Sequence, residues 1–154
     1  MRRISIMKKY IIMISILVSF IQAQEYKSVF DCSSDNARFI KTRMSLIEKT
    51  MSMIEKRGDK AKFAVTLHGG CVPMVSNLYN EIVPDEDMSY IKKAQESIKR
   101  LAEDKKVKII VCAMSLNANG IEEKEVLPFI QISENSFIDT IDFQNDGYAI
   151  MTFK

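Results

Sequence analysis

Three short apolar runs, at residues 26–32, 62–67 and 107–112, are separated by two long stretches in which apolar residues recur at helical spacing. Few folds accommodate that alternation. A short run that stays apolar without alternating is the pattern of a strand covered on both faces, and a helical crossover between two such strands makes them parallel members of one sheet. The first crossover is expected to be capped by Ser34 or Asp35, to bury Ala37, Ile40, Met44, Ile47, Met51 and Ile54, and to end at Gly58. The second follows Pro84, runs over about residues 87–104 and carries Met88, Ile91, Ala94, Ile98 and Leu101 on one stripe. Beyond residue 112 the sequence predicts a short helix after Gly120, a brief fourth strand at 129–132, a helical segment at 137–143 and a closing strand at 148–153 introduced by Gly147. The expected fold is therefore α/β, a three-layer α/β/α arrangement with a mainly parallel sheet of about five strands.

The start of the chain reads as a secretory signal peptide. Arg2, Arg3, Lys8 and Lys9 precede an apolar run from Ile11 to Ile21, and Ala23 offers a small residue at the cut. The run is shorter than the ~20 residues a spanning helix needs. The expectation is a leader over residues 1–23 and one mature domain over 24–154, secreted into the periplasm with no membrane association after cleavage. A formal net charge of +2, part of it contributed by the leader, gives no basic face for nucleic acid. No internal repeat or biased segment marks a second domain.

Cys32, Cys71 and Cys112 each fall where a strand is predicted to end. In a parallel sheet this gathers them along the carboxyl edge, where open α/β folds place ligands and chemistry. Cys112 reads either as a nucleophilic thiol, activated by backbone N–H groups at the strand exit, or as a small buried apolar side chain. For Cys32 and Cys71 three readings stand. Strands one and two are neighbours in both common doubly wound orders, ~4.8 Å apart, which suits a disulfide in an oxidising compartment. The pair also suits redox work, resolving a bond formed at Cys112. Reduced, the two thiols join Cys112 and His68 as a Cys₃His donor set, with Met74 and Met114 as thioethers for a softer ion, although no spacing matches a CxxC knuckle. That donor set frames the rival reading, a metal- or small-ligand-binding protein without transfer. His68 reads otherwise as a scaffold residue or as a base or charge partner for Cys112. Gly69 and Gly70 make either a tight turn or an anion nest, and without GxGxxG or a phosphate-loop lysine they indicate no nucleotide or other cofactor.

The segment KIIVCAMSLNANGI, the LPFI segment and the ending FQNDGYAIMTF resemble the DsrE/DsrF-like family of small α/β sulfur-handling proteins, over nearly all of residues 24–154. The resemblance implies a sulfur carrier in which Cys112, at the end of the third strand, holds a persulfide. It implies donor and acceptor proteins or small sulfur compounds as partners, and assembly into a homo-oligomer. Cys32 and the HGGC turn that holds Cys71 are not part of that pattern.

Overall fold

The structure is a computed structural model that describes residues 23–153; the expected leader therefore lies almost wholly outside the described residues. Five strands, β1 (Glu25–Cys32), β2 (Lys60–Leu67), β3 (Lys108–Cys112), β4 (Gln131–Ser133) and β5 (Ala149–Phe153), form one sheet in the order β4-β3-β2-β1-β5. Every pairing is parallel. The helices are α1 (Ala37–Lys56), the single turn α2 (Tyr79–Ile82), α3 (Asp85–Glu103), α4 (Ala113–Ala118) and α5 (Ser136–Asn145), with 3-10 turns at Gly69–Val75 and Glu123–Glu125.

Helix α1 buries the six residues its periodicity predicts, from Ala37 to Ile54. Its cap is Asn36 rather than Ser34 or Asp35: the Asn36 carboxamide accepts from the Phe39 N–H at 2.9 Å, while the Ser34 hydroxyl accepts from Asn36 N–H one step earlier. Helix α3 begins at Asp85, with Asp85, Glu86 and Asp87 in its first turn, where acids oppose the dipole. Together α1 and α3 cover one face of the sheet, packing Ile40, Met44, Ile98 and Leu101 against Val65, Leu67, Ile109 and Val111.

The strand order explains why α5 covers the other face. From β1 to β4 the chain moves steadily across the sheet, then β5 returns to the far side of β1. A right-handed crossover that reverses its direction of travel must change faces, and α5 accordingly contacts β1, β2, β3 and β5 together. One expectation fails locally. The helix predicted after Gly120 is only the 3-10 turn Glu123–Glu125, whereas α4 precedes Gly120 and starts directly from Cys112, its N-cap residue. No proline or glycine separates β3 from α4, so the sequence carries no break to announce it.

Candidate functional site

The three cysteines do reach one end of the sheet, but they do not form one site. Cys71 lies beyond β2, in the Gly69–Val75 turn, and there it is bonded to Cys32 with a Cα–Cα distance of 5.9 Å. Register explains the separation from Cys112. Cys32 is level with Leu67, and Leu67 with Val111, so Cys32 belongs to the face packed by α1 and α3. Cys112 is one residue further along β3, and successive side chains in a strand point to opposite faces. Its neighbours are those of the α5 face. The expectation of a shared three-thiol site is corrected by this single step of the pleat.

The bridge also removes two donors from the Cys₃His set. Among the described residues no group of three or more His, Cys, Asp or Glu side chains is placed to hold a metal ion. Met74 is fully buried in the core and Met114 is exposed. Gly69 and Gly70 serve the turn rather than an open nest. The Gly69 N–H donates to the Ser115 hydroxyl at 3.3 Å, and the Gly70 N–H donates to the Ser33 carbonyl at 3.2 Å. Gly69 needs its left-handed φ of 51°, and a Cβ on Gly70 would stand 2.6 Å from the Asp35 nitrogen.

Cys112 is the free cysteine, 4% exposed. As a thiol it donates to the Glu134 carbonyl at 3.9 Å. Burial by itself pushes its pKa up, but hydrogen bonds from the backbone N–H groups and hydroxyls of Ser136 and Ser115 outweigh burial and bring the thiol below its ordinary value. These donors come from the first turns of α5 and α4, two segments that meet only in the folded chain. Ser115 is itself oriented by Gly69, whose N–H occupies its acceptor side.

His68 stands one residue past the Leu67–Val111 pair, level with Cys112 and on the same face, and its N–H still bonds the β1 carbonyl of Cys32 at 3.0 Å. Its Nε2 lies 3.0 Å from Oδ1 of Asp31 on β1. That hydrogen bond, against burial and with the added negative charge of Asp31 and of Cys112 as thiolate, raises the imidazole pKa. The same Asp31 oxygen accepts from the Thr66 hydroxyl at 2.9 Å. The Phe137 ring meets the imidazole edge-on at 6.3 Å between centroids.

Sequence reasoning missed Asp31, Ser115 and Ser136. Asp31 had a signal, a carboxylate set into the otherwise apolar end of the first strand. Ser115 follows Cys112 by three residues, legible only once a helix is known to begin at Cys112. Ser136 had none. A mostly apolar cleft between α1 and the edge strand β5, lined by Tyr26, Phe30, Leu46, Phe63 and Met151, includes neither Cys112 nor His68.

Fold and site together define a parallel α/β domain with a polarised free thiol at the carboxyl edge of its sheet. The chain belongs to the DsrE/DsrF-like family, whose model matches residues 27–153. An uncharacterized protein of Aquifex aeolicus (strain VF5) is 32% identical over 148 residues, a match that covers 96% of this chain but 65% of that protein. The chain thus spans about two thirds of its relative's length. The solved structure of a protein of unknown function from Methanobacterium thermoautotrophicum has the same fold, with a TM-score of 0.64 and 16% identity over 83% of this chain and 99% of that one. Membership of the family supports a sulfur-related role.

Proposed function

We propose that this protein is a sulfur carrier that holds sulfane sulfur as a persulfide on Cys112. The observation that carries the reading is the placement of the free thiol: in a DsrE/DsrF-like chain, at the end of β3 and the start of α4, where Ser115 and Ser136 lower its pKa. A thiolate is the nucleophile in sulfur exchange, and donors that stabilise it also stabilise a terminal perthiolate. The Cys112 thiolate attacks the outer sulfur of a sulfane donor R–S–S⁻, forming Cys112–S–S⁻ and releasing R–S⁻, a displacement that needs no external oxidant. With Cys32 and Cys71 bonded to each other, neither is a thiol available to take that sulfur. The acceptor is then another molecule, a partner protein or a small sulfur compound. Exposed Met114 and Phe137, each next in sequence to a residue at the site, and Ile138 and Ile141 on α5 support a partner surface there, including one between copies of the chain.

The reading includes export, with residues 1–23 removed as a leader, supported by the basic start and the apolar run before Ala23. An oxidising compartment is where the Cys32–Cys71 bridge persists. N-terminal sequencing of the cellular protein is expected to begin at Gln24, and a chain beginning at Met1 overturns this part.

The carrier role is tested by treating the purified protein with inorganic polysulfide and measuring intact mass. The wild type is expected to gain a sulfur that dithiothreitol removes, while Cys112→Ser gains none and keeps its fold, because a hydroxyl ionises too weakly to replace the thiolate. Uptake by Cys112→Ser at the wild-type rate overturns the reading.

A further inference from the structure

We propose that Asp31 is a positioning residue that acts on Cys112 through His68, fixing the tautomer and the orientation of the imidazole beside the thiol. The inference rests on Cys112 being the reactive thiol of the site, and not on which sulfur compound it accepts.

Two rows of the sheet supply the geometry. Asp31, Thr66 and Ile110 are level with one another across β1, β2 and β3. Two residues further on, and so on the same face, stand His68 and Cys112. Asp31 is therefore a diagonal neighbour of His68, one strand across and two residues along, and the Nε2–Oδ1 distance of 3.0 Å shows that their side chains meet. A carboxylate only accepts, so Nε2 must carry the proton in that contact. In the neutral ring Nδ1 then holds the lone pair and is the ring nitrogen able to take a proton. The proton that leaves the thiol moves to Nδ1, giving a thiolate beside an imidazolium whose other N–H remains on Asp31.

The carboxylate is itself held. Thr66, 0% exposed, donates to the same oxygen, and Asp31 and His68 side chains are 17% and 19% exposed, so the pair is mostly withdrawn from water. A charged hydrogen bond in such surroundings is stronger than one at the surface. Among the described residues, the titratable groups whose charge reaches His68 are Asp31 from β1 and Cys112 from β3; α5 presents the uncharged Phe137 ring. The shifts agree with the geometry, the imidazole pKa being raised and the thiol pKa lowered.

The test is the pH profile of Cys112 alkylation by iodoacetamide, with the Cys32–Cys71 bridge kept oxidised so that Cys112 is the reacting thiol. Asp31→Asn keeps an oxygen for Thr66 and removes the charge. It is expected to move the midpoint of the profile upward and to slow alkylation several-fold below that midpoint, leaving the high-pH plateau unchanged. His68→Gln is expected to do the same. The double variant is expected to match His68→Gln alone, because a residue acting through His68 has no effect once His68 is gone. An Asp31→Asn midpoint equal to the wild type overturns the inference, as does a double variant displaced by the sum of the two single effects. Circular dichroism and thermal unfolding of each variant confirm that the profiles are those of folded protein. Alkylation requires no sulfur donor, so failure of the carrier reading, seen as absent polysulfide uptake, is distinguishable from failure here.

Discussion

Cys32 and Cys112 end two strands of the same parallel sheet, yet their side chains belong to opposite faces of it. Cys32 is stapled to Cys71 within the core that α1 and α3 cover, and Cys112 remains a thiol among residues of the α5 face. One cysteine is held in a bridge and the other stays a thiol, and the two separate in experiment.

Removing the bridge is expected to cost stability without silencing Cys112. Its closed loop spans a sequence separation of 39 residues. The chain-entropy estimate for such a loop is about 3–4 kcal/mol. Urea unfolding of the paired variant Cys32→Ala, Cys71→Ala should show a loss of that order, while the pH profile of Cys112 alkylation in the folded protein keeps a depressed midpoint. Equal stability of the wild type and the paired variant would count against a persistent bridge.

The two glycines of the turn are expected to respond differently to alanine. At Gly70 the added Cβ meets the backbone of Asp35 at 2.6 and 2.7 Å, atoms anchored just ahead of α1 that have little freedom to retreat. Overpacking of this kind costs about 2–3 kcal/mol. At Gly69 the nearest contact is an ordinary 3.4 Å, and the penalty is the left-handed backbone at φ 51°, about 1 kcal/mol. Thermal unfolding should rank Gly70→Ala below Gly69→Ala, and the reverse order would show that the turn relaxes away from Asp35.

Stability is expected to carry a pH signature from His68. Its pKa is raised in the folded protein, first by the hydrogen bond to Asp31. A raised pKa means that the folded state binds a proton the unfolded state has released. The associated stability is complete below the unfolded imidazole value of about 6.5 and is lost as pH rises through the folded value. Urea unfolding of the wild type should therefore weaken over that interval, and Asp31→Asn should lack this fall. A parallel fall in both proteins would place its origin elsewhere.

The class of fold was written in the chain. Apolar runs long enough for strands, joined by the stripe from Ala37 to Ile54 and the one containing Ile91, Ala94, Ile98 and Leu101, admit little besides a parallel sheet with helical crossovers, because only that arrangement buries every apolar face. Pairing of Cys32 with Cys71 was also within reach as one of three readings, since consecutive parallel strands bring their ends together. Placement by face was not. Strand boundaries read from sequence shift by one or two residues, as at Lys60 and Lys108, and one residue reverses the side to which a cysteine points. The companions of Cys112 lay further out of reach. Asp31 meets His68 through the register of β1 against β2, Ser115 follows Cys112 into α4, and Ser136 arrives because the return of β5 across β1 draws α5 over the second face; of the four only His68 was read from the sequence as a partner of Cys112. Local sequence specifies how each segment buries its apolar side; which polar side chains then share a site depends on the order and register of strands distant in sequence, and that only the tertiary structure decided.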